Sequence, residues 1–349
     1  MDINSNAVLL LIMAAVLNGV PLLYGTLGEI LSEKAGNLNL GVEGMMFMGG
    51  AMGLGAAFYF EGAGGTSGIL AVILALLFAF LGGAIGALIY SFLTITLRAN
   101  QNVTGLALAI FGTGAGQFIG EYMRVTSGGY VAVSNDLKAV FLNSPFPAAL
   151  QELPVVGPLL FGHSIFLYLG IVLTVGMHLF LNKSRAGLSL RAVGESPATA
   201  DAAGVNVTRY KYLATVIGGG ISAIGGMVYI MTIASCVWNH EALSGEGWLA
   251  VALVIFCLWR PLNAIWGSIL FGALMILYQR LHLAFIPDEL YKILPYVVTV
   301  IVLIFTSLRN SKDKQPPNSL GLPYFREERK IKIKTRSRLH FAAGPRFYL

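Results

Sequence analysis

The sequence is poor in charge. Asp, Glu, Lys and Arg make up only 11% of its 349 residues, whereas 56% are hydrophobic and the mean hydropathy is +0.73. Soluble domains carry about 25% charged residues, so an ordinary water-soluble globular protein is excluded. Cysteine is scarcer still. Cys236 and Cys257 stand in apolar surroundings without CxxC spacing, which reads as two small core residues rather than a metal or redox pair. The five histidines show no ligand spacing, and His163 and His240 fall near the ends of apolar runs, where an interfacial place suits them. Paired aspartate clusters, HExxH and nucleophile motifs are all missing, leaving membrane-enzyme chemistry without residues. A GxxxxGK[ST] phosphate loop is missing too: Lys183 and Lys334, each followed by Ser or Thr, lack the preceding glycines. Nucleotide hydrolysis would have to occur on another chain.

Long apolar runs take the place of charge. No acid or base occurs from Ile3 to Gly28, Gly62 to Leu97, Ala99 to Gly120, Tyr212 to His240, or Pro261 to Gln279. Crossing about 30 Å of hydrocarbon takes roughly 20 apolar residues in a helix, because the backbone there must satisfy its own hydrogen bonds. Each run is long enough to hold a span. The first lacks the basic leader and small-residue cleavage site of a secretory signal, so it reads as a helix. Hydropathy predicts nine crossings, beginning near Ala7, Asn37, Ile69, Val103, His163, Tyr210, Glu246, Ala264 and Tyr291.

Basic residues orient these crossings. Lys183, Arg185, Arg191, Arg209 and Lys211 crowd one connection, about residues 182–211, and eleven more of the 23 lie from Arg309 onward. The positive-inside rule makes both cytoplasmic. Lys34, Arg98 and Arg260 then fall inside. The loop 122–162, with only Arg124 and Lys138, falls outside, as does the N-terminus. The +6 net charge therefore reports topology rather than a nucleic-acid partner. The chain divides into a transmembrane domain, 1–309, and a polar basic cytoplasmic tail, 310–349. Within the tail "KDKQPPNS" reads as a disordered linker, and "KIKIKTRSRLHFAAGPRFYL" as a solvated end or a contact for anionic lipid.

Two segments echo each other. "LGVEGMMFMGGAM" from Leu40 and "LSGEGWLAVALVI" from Leu243 each set a glutamate beside glycine at the mouth of an apolar run. Glycine-bearing helices ending on a base follow both, "GALIYSFLTITLR" from Gly86 and "FGALMILYQR" from Phe271. An internal repeat with broken helices near the midplane is the expected architecture, and the 42 glycines suit close helix packing. The fold class is thus an all-α, polytopic bundle of about nine or ten spans with broken or re-entrant helices.

Three polar clusters interrupt the apolar runs: Asn37, Asn39 and Glu43 in "GNLNLGVEGMM"; Gln101, Asn102 and Thr104 in "RANQNVTG"; and Trp238, Asn239, His240, Glu241 and Glu246. A buried carboxylate at this depth requires water or a partner. Glu43 therefore either faces a hydrated solute path, caps a half-helix, or pairs with Lys34 or Arg98, and Glu246 poses the same choice. At the cytoplasmic face, Ser196 can cap a helix, Pro197 suits its first turn and Gly204 its end. The resulting "PATADAA" is too short to stand alone and is either an ordinary loop helix or a knob for a peripheral partner.

"GLSLRAVGESPATADAAGVNVTRYK" resembles the coupling loop of ATP-binding cassette importer permeases, in the branch that also serves simple sugars and branched-chain amino acids. "GEILSEKAGNLNLGVEGMM", "RANQNVTGLALAIFGTG", "GEGWLAVALVIFCLWRPLNAIWGSILFGAL" and "SLGLPYFREER" are similar to nucleoside-importer permeases, and together the segments span most of Gly28 to Arg329. The resemblance implies about ten helices. It makes Glu195, Ser196, Pro197, Ala198, Ala200, Asp201, Ala203 and Gly204 a coupling helix docking into an ATPase, and it sets Asn39, Glu43, Gln101, Asn102 and Trp238 along or near the solute path, to which the hydrated-path reading of the buried acids adds Glu246. It further implies a second permease subunit, identical or related, a solute-binding lipoprotein outside, and a bacterial cytoplasmic membrane. ATP and Mg would be used by the ATPase, with no cofactor or metal on this chain. A ribose-like sugar importer is the neighbouring alternative. From another class, an ion-coupled carrier would use Glu43 and Glu246 as proton sites.

Overall fold

Every charge-free run holds a helix in the computed structural model, which describes residues 3–280, 288–308 and 315–325. The membrane body opens with α1 (Ile3–Lys34), α2 (Val42–Gly62), α3 (Gly68–Ser91) and α4 (Gln101–Thr126), α3 ending in a π-helical turn, Phe92–Thr96. The outer loop folds into three short helices, α5 (Asn135–Leu142), α6 (Ala148–Gln151) and α7 (Val156–Phe161). Next come α8 (Ile165–Lys183) and the short pair α9 (Arg185–Glu195) and α10 (Pro197–Ala202). The chain returns through α11 (Val207–Thr232), α12 (Glu246–Phe256), α13 (Pro261–Arg280) and α14 (Asp288–Leu308). Polar side chains start several of them: Ser67, Asn100 and Asn206 accept from the backbone N–H groups of Leu70, Val103 and Arg209.

Among the described residues, five helices, in α1, α3, α4, α8 and α11, are long and apolar enough to cross a bilayer unaided. All nine expected runs are helical, but they are not nine whole spans. The seventh, α12, has 11 residues, a rise of about 16 Å against about 30 Å of hydrocarbon. The non-helical stretch 233–245 leads into it. Hydropathy registers the run but not its ends. Gly245 enters at φ +92°, and Leu258 and Trp259 leave at φ +55°, backbone that an α-helix cannot continue.

At the centre, α1 lies along α11 and α13, α11 packs on α2 and α3, and α2 packs on α3 and α4. Lipid offers no hydrophobic force between helices, so attraction depends on how closely backbones approach. Gly226 of α11 marks the tightest approach to α2: a Cβ there would lie 1.9 Å from the Met46 carbonyl oxygen. Gly226→Ala is therefore expected to abolish recovery of a monodisperse protein on detergent gel filtration. Gly114→Ala on α4, where nothing lies within 4 Å of the new methyl, is expected to behave as wild type; equal yields for the two variants would refute this packing account.

Several basic side chains gather at one end of the bundle. Lys34, Arg191 and Arg260 gather round one recess with Glu195, and Arg98 and Arg209 round another with Asp201. At the opposite end the outer loop docks, with Ser134 N–H donating to Glu61 (2.9 Å) and Trp238 N–H to the Val131 carbonyl (3.1 Å). Cys236 and Cys257 are free thiols buried in the core.

The tail departs from expectation. Residues 315–319 of the predicted disordered linker belong to an ordered segment, 315–325, lying against α9 and α10. The polar composition that suggests disorder there supplies the hydrogen bonds that hold it. The basic stretch from 326 onward lies outside the described residues.

Candidate functional site

The two echoing glutamates meet. Glu43, in the first turn of α2, accepts from Gly245 N–H at Oε1 (2.7 Å) and from Gly247 N–H at Oε2 (2.6 Å), the opening of α12. Helix N-termini leave N–H groups unpaired and carry partial positive charge, so a carboxylate there is doubly favoured. "SGEGW" has this spacing because Gly247 must touch Glu43: a Cβ at 247 would fall 2.3 Å from the Glu43 Cα. Glu246 is 4% exposed, and its Oε2 has no hydrogen-bond partner among the described residues. Of the readings open for Glu43, the geometry realises the half-helix cap, on a helix from the other half of the chain.

A second cluster holds the break between α1 and α2, residues 35–41. Asn39 turns back on itself, its Oδ1 accepting from Gly41 N–H (3.1 Å) while its own N–H donates to Glu29 Oε1 (3.0 Å). Gln101 Oε1 accepts from Leu38 N–H (2.7 Å), and the Tyr90 hydroxyl donates to the Leu38 carbonyl. Asn37 Nδ2 donates to Thr215 Oγ1 (2.7 Å) and to the Lys211 carbonyl (3.2 Å). Side chains thus meet Leu38 N–H and C=O, Asn39 N–H and Gly41 N–H, while Ala35, Gly36 and Asn37 N–H turn back onto carbonyls of α1, the kind of satisfaction irregular backbone at membrane depth demands.

The six expected path residues therefore occupy three places. Glu43 and Glu246 share the α2–α12 junction. Asn39 and Gln101 share the 35–41 break, with Asn102 exposed beside it. Trp238 lies apart at the outer end, buried against Gly120 of α4. Sequence reasoning missed Glu29 and Glu33, buried one turn apart on α1; Glu33 accepts from the Trp259 indole N–H at the α12–α13 turn. Their signal was the i, i+4 spacing in "GEILSEK", which looks like an ordinary charged helix end.

At the end of the bundle where Lys34, Arg191 and Arg260 gather, α9 and α10 form the knob. Ser196 Oγ accepts from Thr199 N–H, Pro197 occupies the first position, and Gly204 stands at φ +84°. Val205 N–H reaches the Ala200 carbonyl (3.0 Å) and Gly204 N–H the Asp201 carbonyl (3.1 Å), a Schellman end. Ala200 faces inward onto Val193 and Val207, whereas Ala198, Thr199, Ala202, Ala203 and Gly204 face outward. A small surface of exposed methyl groups results.

The family described as branched-chain amino acid transport system / permease component matches residues 11–303. The chain belongs to this family. Among similar proteins, a putative glucose ABC transporter permease protein of Haloferax volcanii is 34% identical, covering 91% of this chain and 98% of that one. A guanosine ABC transporter permease protein of Bacillus subtilis is 31% identical, covering 92% and 98%. A nucleoside ABC transporter permease protein of Lactococcus lactis subsp. cremoris is 29% identical, covering 85% and 92%. This permease is accordingly a multi-pass membrane protein and one component of a larger transport system that also includes an ATPase and a substrate-binding protein.

Proposed function

We propose that this permease translocates nucleosides across a bacterial cytoplasmic membrane as the membrane subunit of an ABC importer. ATP and Mg are used by a separate ATPase subunit; a second permease, identical or related, completes the pore, and a solute-binding lipoprotein delivers cargo from outside. The observation that carries the cargo reading is the near full-length similarity to the guanosine and nucleoside permeases. In this reading the exposed face of α10 docks on the ATPase. The α2–α12 junction, where two helix N-termini and the unpartnered oxygen of Glu246 meet, lies beside the solute path.

The similarity to the putative glucose permease favours a second reading, a sugar importer. Uptake separates the two. In proteoliposomes carrying permease, ATPase and binding protein, labelled guanosine is expected to enter with ATP and to be displaced by unlabelled nucleosides but not by excess glucose. Displacement by glucose and not by nucleosides would establish the sugar reading, and accumulation by the permease alone would end both.

A further inference from the structure

The segment 315–325 has no part in the reading above, yet it touches every element through which α10 meets the membrane body. Ser319, 6% exposed, donates from its backbone N–H to the Gly194 carbonyl (3.0 Å), and its hydroxyl donates to the same oxygen. It is wedged there. A Cβ on Gly36, in the α1–α2 break, would come 2.6 Å from Ser319 Oγ, and one on Gly194 would come 2.2 Å from the Lys34 carbonyl. Asn318 Nδ2 donates to Glu195 Oε2 (3.0 Å) at the joint between α9 and α10. The Tyr324 hydroxyl donates to Asp201 Oδ2 (3.0 Å) on α10, and its ring packs on the Val193, Ala200 and Val207 cluster. Phe325 lies under the Arg98 guanidinium at the α3–α4 turn, 4.7 Å from ring centroid to carbon.

A six-residue helix is far below the length that holds itself together in water. The inward face of α10 buries Ala200 alone, so a force applied to its outer face would tilt it unless something else fixes it. From this geometry we propose that residues 318–325 form a strap that fixes α10 to the α1–α2 break and the α3–α4 turn. Movement imposed at the cytoplasmic face thereby reaches the α2–α12 junction. The inference rests on α10 being the ATPase contact. Asn318, Ser319 and Tyr324 are positioning residues: they act through α10 and the break, not on cargo.

The test uses the assembled transporter, with permease, ATPase and binding protein, in proteoliposomes. ATPase recovery with the permease, ATP hydrolysis and uptake are measured for Asn318→Ala, Ser319→Ala, Tyr324→Ala and the packing-preserving Tyr324→Phe. Expected are normal recovery of the ATPase, continuing ATP hydrolysis, and uptake per ATP lowered several-fold in the alanine variants, with Tyr324→Phe in between. Unchanged uptake per ATP in Asn318→Ala and Tyr324→Phe, both of which spare the core, would overturn the strap. So would loss of the ATPase in step with uptake, which would make the segment a docking element instead. Replacing α10 itself separates the two ideas: uptake that persists without α10 removes the coupling reading, whereas uptake that needs α10 but ignores the strap variants removes the strap alone.

Discussion

Glu43→Ala is expected to destabilise the permease more than removal of any other single carboxylate. Its two oxygens accept the N–H groups of Gly245 and Gly247 at 2.7 and 2.6 Å. Both donors open a half-helix inside the protein, and no side chain caps Gly245 in its own segment. Leaving a buried donor unmet costs about 1–3 kcal/mol, so the pair amounts to about 2–6 kcal/mol, and lipid offers no water to make up the difference. Glu43→Gln is expected to recover only part of this, since its carbonyl can accept one N–H while its NH2 confronts the other donor. Glu43→Asp is too short to reach both. Melting temperature in detergent, followed by tryptophan fluorescence, is expected to fall by several degrees in the order Gln, Asp, Ala. A Glu43→Ala protein that melts with wild type would mean that the N-terminus of α12 is held by something other than this carboxylate.

That junction shows where sequence reading succeeds and where it stops. The apolar runs were legible because hydrocarbon imposes one length and one hydrogen-bonding rule on every span. The caps of α10 were legible because Ser, Pro and Gly each have a local backbone reason for their positions. What α12 lacks in length was not legible, since hydropathy averages over the run and cannot see backbone at φ +55°. Nor could composition decide between a solvated glutamate and one seated on another helix: Glu43 lies 202 residues from Gly245 in sequence. Glu29, Glu33 and the strap share this limit. Their partners, Asn39, Trp259 and Gly194, are set by tertiary packing, and polar residues near a predicted helix end or in a tail look the same whether water or protein satisfies them.

Replacing residues 197–204 by a Gly/Ser linker of equal length is expected to reduce ATP-driven uptake to background and to lower recovery of the ATPase with the permease. The linker preserves the spacing between α9 and α11 and leaves Ser196 in place, but erases the methyl surface and the helix that Ser196 caps. Milder variants should grade the effect. Ser196→Ala removes a cap worth about 1 kcal/mol, and Gly204→Val forces a branched side chain to φ +84°, a strain of roughly 1–2 kcal/mol. Each frays α10 without touching the transmembrane helices, so melting temperature should hold while uptake falls in proportion to the loss of helix. The outward residues Ala198 and Ala202 supply the complementary arm: bulky substitutions there leave the helix intact but obstruct the docking face, and should reduce ATPase recovery as well as uptake. Linker and bulky variants that transport normally, with undiminished ATPase recovery, would reduce α10 to an ordinary loop helix and require the ATPase to grip another part of the cytoplasmic face.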